Sequence, residues 1–163
     1  MTFTRPVAPS DIDLICHHRQ EMFREAGSPV SDLDAMAVPF RRWLTDRLAD
    51  GTYFGFVVED KGRPIGAVGL MEINWPPHPA HPVDDRRGYI LNLFVEPEYR
   101  GRGVARNLME ASDREFARRG LSYAILHATA MGRPLYERNG WQPTTEMAKT
   151  YRDWQNRLRH SGA

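Results

Sequence analysis

The segment Asn92-Leu93-Phe94-Val95-Glu96-Pro97-Glu98-Tyr99-Arg100-Gly101-Arg102-Gly103-Val104-Ala105 constrains this chain more than any other. An apolar strand runs into a turn with two glycines and two arginines, and an amphipathic helix over 103–119 begins at once. Residues 121–127 follow as a nearly continuous apolar run, as expected of a central strand covered on both faces. Strand, helix and strand in that order require parallel pairing through a crossover. The turn itself reads as a pyrophosphate cradle. Glycines let the backbone approach a ligand, the first N–H groups of a helix favour negative charge, and arginines offer forked donors suited to phosphate.

The rest of the chain supplies partners for this unit. Residues 3–7 read as a short edge strand, where Pro6 is tolerable. Ser10-x-x-Asp13 and Ser31-x-x-Asp34 resemble helix capping signals. The first precedes a stripe of Ile12, Ile15, Met22 and Ala26, and the second a stripe of Leu33, Met36, Phe40, Trp43, Leu44 and Leu48. Pro39 is expected to bend or split the second helix, and Gly51 to stop it. Residues 52–59 and 64–73 form a hairpin about Asp60-Lys61-Gly62-Arg63. A proline-rich loop over 74–87 leads to a strand over 88–95; a short helix over 134–138 and a last strand over 145–151 complete the order. A mixed α/β sheet with helices on both faces results. One domain is expected over 1–151, followed by an arginine-rich tail over 152–163.

Charge and cysteine usage narrow the function classes. Lys plus Arg number 22 against 21 Asp plus Glu, so bulk charge gives no reason to expect a nucleic-acid partner. No apolar run approaches the ~20 residues that cross a bilayer, so no membrane role is expected. No signal-peptide pattern opens the chain, and Cys16 is its single cysteine, so cytoplasm is the expected compartment. His78-x-x-His81 lacks a suitably spaced third ligand, and no metal is expected.

Spacing decides among phosphate-binding turns. The lysine-containing pattern G-x-x-x-x-G-K-[ST] is absent. Gly101-x-Gly103-x-x-Arg106 fails at the third glycine of a dinucleotide fingerprint. Arg100-x-x-Gly103-x-Ala105, after a strand ending Val95-x-Pro97, resembles the acetyl-CoA signature of the GNAT superfamily of N-acyltransferases. Downstream, Pro134-Leu135-Tyr136-Glu137-Arg138-Asn139-Gly140-Trp141 resembles that superfamily's L-Y-E-x-x-G-[FW] segment. The element order over 3–151 agrees with it too.

The resemblance implies a mixed, mostly antiparallel sheet of six to seven strands, splayed in a V between two central parallel strands and flanked by about four helices. It implies an acetyl-CoA-dependent N-acetyltransferase acting directly on a primary amine of a small molecule or peptide. By position, the backbone of Leu93, Phe94 and Val95 would hold pantetheine, with an N–H near Phe94 facing the thioester carbonyl as an oxyanion donor. Arg100, Gly101, Arg102, Gly103, Val104, Ala105 and Arg106 would wrap the pyrophosphate, and Thr129 would stand in for an Asn that touches the CoA arm. Tyr136 would protonate the leaving thiolate, since a phenol with a pKa near ~10 keeps its proton at neutral pH.

The general base is where this chain departs from the pattern. The two positions that carry a Glu in relatives are Tyr89 and Ala124 here, and neither can deprotonate an ammonium. Glu72 is then the best remaining carboxylate, followed by Glu21 and by water. The first two helices and the proline-rich loop would build the acceptor pocket, with Trp75, Pro76 and Pro77 walling it or making a dimer contact. A catalytically weak acyl-CoA-binding or sensor module stays open as the alternative, as does a homodimer.

Overall fold

The computed structural model describes residues 2–150. In chain order the elements are β1 (Thr2–Pro6), α1 (Ile12–Glu25), α2 (Val30–Asp50), β2 (Phe54–Asp60), β3 (Arg63–Asn74), β4 (Arg86–Val95), α3 (Val104–Arg118), β5 (Ala124–Leu126) and α4 (Arg133–Arg138). The sheet order is β1-β2-β3-β4-β5, antiparallel up to β4 and parallel between β4 and β5.

Five strands form among the described residues, against the expected six to seven. Residues 145–150 carry no strand, and Tyr151 and the tail lie outside the described residues. β5 is accordingly three residues at the sheet edge, half-buried, and not a central strand covered on both faces. Pro39 does not split α2. Pro39 and Ala35 are both exposed, so water can meet the Ala35 carbonyl that loses its helical partner. The expected serine caps are absent. Asp11 precedes α1 and accepts from the Ala8 N–H at 2.8 Å, while Pro29 occupies the start of α2.

The two sheet faces differ. Val58, Ile65, Val68, Leu70, Leu108 and Phe116 join the sheet to α3 in one core. Ile15, Phe40, Leu44 and Tyr53 join it to α1 and α2 in the other. Gly69 makes the second core possible, because a Cβ there would lie 2.0 Å from the Tyr53 hydroxyl oxygen.

β4 carries the irregularity that shapes the site. From Ala67↔Phe94 to Gly69↔Leu91, β3 advances two residues and β4 three, a bulge in which Asn92 takes the left-handed region at φ 55°. β5 pairs with Gly88, Tyr89 and Ile90 and then ends. Beyond Ile90, β4 runs on with no strand partner on that side among the described residues. The open side of β4 comes from a bulge in one strand and the shortness of the other.

Candidate functional site

At the far end of β4 the chain turns into α3. Gly101 and Gly103 have φ of 73° and 81°, a region costly for residues with a Cβ. The first helical bond at this end runs from the Asn107 N–H to the Gly103 carbonyl at 3.0 Å, so the N–H groups of Gly103, Val104, Ala105 and Arg106 carry no backbone acceptor. The first turn holds no acidic side chain. These groups line a cavity of about 510 Å³, closed on the other side by Leu135, Arg138 and Asn139. An anion fits here on charge and on donor supply.

The side chains of this segment do separate things. Val104 is buried in the core and can offer only its backbone. Arg100 turns inward: its Nε–H donates to the Val95 carbonyl at 2.9 Å, one terminal nitrogen meets the Glu25 carboxylate at 2.8 Å, and the guanidinium stacks on Phe94. It ties the ends of β4 and α1 together while also lining this cavity. Arg102 lies over Tyr99, and Arg106 pairs with Glu110 at 3.0 Å. Arg138, a cradle cation that the motif reading did not include, comes from α4.

A second cavity of about 660 Å³ lies between α1, α2, the bulged part of β4, the end of β5 and α4. Leu93 lines this cavity and Val95 the cradle, so the unpartnered stretch of β4 runs from one to the other. Phe94 is buried against His18, with ring centroids 4.9 Å apart, and only its backbone is available. Tyr136 enters from α4. Its ring meets Trp141 edge-on at 6.4 Å, and burial pushes its hydroxyl above the ordinary phenol value. Thr129 lines the same cavity, but its hydroxyl accepts from the Gly132 N–H at 3.1 Å and so shapes the entry to α4.

Glu72 lies elsewhere. It stands opposite Gly88, whose missing Cβ faces Phe116 of α3, whereas the neighbouring pair Met71 and Tyr89 faces α1 and α2. Its carboxylate is held by Arg86 at 2.6 Å and Arg119 at 2.9 Å. Burial raises its pKa, but the two arginines outweigh this and leave it below the ordinary value. It lines neither cavity. Glu21 is held by Arg24 on its own helix. Trp75 and the two loop histidines also stay away from the cavity. Arg87 is sandwiched between Trp75 and Tyr123, and its Nε–H donates to His81 Nε2 at 2.7 Å, which pins the proline-rich loop. Among the described residues no cluster of three or more His, Cys, Asp or Glu could hold a metal ion.

Two residues not singled out in sequence do line the second cavity. His127, edge-on to Tyr89, has Nε2 3.5 Å from Glu146. Arg19 of α1 donates to the Asn92 side-chain oxygen at 2.6 Å, and Asn92 in turn donates to the Tyr53 hydroxyl at 3.2 Å. Motif spacing could not reveal either one, because each depends on a contact between distant segments.

Residues 13–141 match the model of the acetyltransferase (GNAT) family. The chain is similar to a GCN5-related N-acetyltransferase from Ralstonia eutropha JMP134, with 55% identity, a TM-score of 0.91, and coverage of 92% of this chain and 98% of the other. It is also similar to a predicted acetyltransferase from Clostridium acetobutylicum solved with acetyl-CoA, with 27% identity, a TM-score of 0.80, and coverage of 92% and 96%. Glucosamine-6-phosphate N-acetyltransferase from Arabidopsis thaliana shares the fold, at 16% identity and a TM-score of 0.66 over 93% and 99% of the two chains. No curated protein matches the sequence. No helix among the described residues is long and apolar enough to cross a membrane.

Proposed function

This chain belongs to the GNAT acetyltransferase family and is an N-acetyltransferase, and from that premise we propose that it transfers the acetyl group of acetyl-CoA directly to a primary amine of a small molecule or peptide. One observation carries the reading: the unpartnered backbone of β4 leads from a cavity beside Tyr136 to a helix N-terminus with four free N–H groups. The residues present fit the cosubstrate. Backbone N–H groups of 103–106, with Arg100, Arg106 and Arg138 lining the same cavity, would hold the pyrophosphate, and the β4 backbone at Leu93, Phe94 and Val95 the amide-bearing arm. Bound there, acetyl-CoA supplies an activated acyl thioester.

The chain's own groups then have three tasks. A β4 N–H near Phe94 would face the carbonyl oxygen, where negative charge would grow as the amine nitrogen attacks. Tyr136 keeps its proton in its desolvated setting and gives it to the sulfur as the carbon–sulfur bond breaks. The amine must lose a proton, and His127 replaces Glu72 in that role because it lines the cavity and Glu72 does not. Thiol release from acetyl-CoA across a panel of amines, with calorimetry against CoA, tests the reading. Turnover supports it. Absence of CoA binding overturns it, and CoA binding without turnover on any amine favours the sensor module.

A further inference from the structure

The second cavity contains a cation without a counter-charge. Arg19 is the cavity's arginine, and no Asp or Glu lines the walls with it. Its hydrogen bond to Asn92 is with a neutral amide, its Nε–H is buried without a partner, and its guanidinium is stacked at 4.5 Å on Phe40 and 4.9 Å on Phe23. The acids of its own helix are already engaged: Asp13 with Arg41, Glu21 with Arg24, Glu25 with Arg100. Among the described residues Arg19 has no ion-pair partner. Burial works against its charge, which lowers its pKa. Aromatic stacking and one neutral acceptor position a guanidinium well but leave its charge unbalanced in a desolvated place.

We infer that Arg19 is the recognition residue for the acceptor, and that the acceptor is an amine bearing a carboxylate and an apolar or aromatic body, as in a hydrophobic amino acid. The inference rests on the acetyl-transfer reading and names its substrate class. A carboxylate is the group that a planar forked donor binds best, with two parallel hydrogen bonds. Phe23, Phe40, Trp43 and Met71 supply the apolar walls. Arg19 is tied to Asn92, the bulge residue of β4, so a carboxylate held there places an α-amine beside the splayed strand. The same cavity disfavours polyamines, whose charges would meet Arg19 with no acid to offset it.

The test uses binding, so its result does not depend on turnover. The full chain saturated with CoA is titrated with 3-phenylpropanoate and with 3-phenylpropanamide, two ligands of one shape that differ in charge. The carboxylate should bind roughly 10–100-fold more tightly than the amide, the range for hydrogen bonds to a charged group. Arg19→Met should remove that difference by weakening the carboxylate alone, and Arg19→Lys should keep part of it. Equal binding of the two ligands by the wild-type chain, or failure of both to bind, overturns the inference, and no variant is needed for that arm. In thiol release, phenylalanine should then show a lower KM than phenethylamine. Turnover with no preference between them would sink the acceptor class while leaving acetyl transfer in place. Loss of CoA binding would sink acetyl transfer itself.

Discussion

At the residue scale, Tyr136 is suited to proton donation because burial raises its pKa and keeps the hydroxyl protonated. Tyr136→Phe keeps the ring against Trp141 and removes the hydroxyl. Turnover should fall roughly 100-fold, within the usual range for an acid catalyst, while CoA affinity stays within about twofold. Steady-state thiol release and calorimetry read the two quantities, and unchanged turnover removes Tyr136 as the acid. His127→Gln should lower turnover by a similar factor without changing CoA affinity, whereas Glu72→Gln should leave turnover near that of the wild type. Those three residues and Arg19 mark how far side-chain positions could be read from sequence. The position of Tyr136 beside the cavity was legible because its motif is contiguous. Glu72 was misplaced because its face depends on its register opposite Gly88. His127 and Arg19 acquire their settings from β5 meeting β4 and from α1 meeting a bulge, contacts between segments far apart in the chain.

At the element scale, the glycine turn and α3 were readable because strand, turn and helix follow one another without interruption. The outer sheet was not. An apolar run announces a buried strand but does not count its neighbours, and β5 has one neighbour among the described residues. The bulge was implied by the family resemblance and not by any residue pattern, since Asn92 in the left-handed region is a consequence of pairing. The turn carries its own test. A Cβ at Gly103 would meet open space, with no protein atom within 4 Å, and Gly103 lines the cavity at this turn, so a Val there is expected to crowd a ligand. At φ 81° a Val also costs about 1–2 kcal/mol of backbone strain. Gly103→Val should therefore abolish CoA binding in calorimetry while the chain still melts cooperatively, a few degrees lower. Normal CoA affinity in that variant would refute the cradle.

At the scale of the whole molecule, the sheet divides its labour between faces: α3 seals one with a close-packed core, while α1 and α2 hold open the cavity on the other. Ion pairs of one kind fasten both sides. At the β1 corner, burial raises the Asp11 carboxyl, but hydrogen bonds from Arg5 and the Ala8 N–H outweigh it and leave the pKa below the ordinary 3.8. On the α3 face, the Arg118 hydrogen bond is the main cause that lowers Glu115 to about 2, and Glu72 beside Arg119 is also lowered from 4.5. Depressed carboxyl pKa values fix the sign of the linkage: the unfolded chain binds these protons first, so the stability they contribute is complete above about pH 5 and is lost as the pH falls through the folded values. The melting temperature should accordingly decline a little between pH 7 and 5, as the unfolded chain protonates His18, which burial keeps neutral in the fold, and then drop steeply below about pH 5. Asp11→Asn should melt lower at pH 7, because it leaves Arg5 with a neutral partner in a partly buried place, and should lose less on acidification. The two curves should draw together as the pH falls through the lowered folded pKa of Asp11. Parallel curves across that range would show that the Arg5–Asp11 pair contributes nothing to acid lability and that the loss belongs to the α3 face.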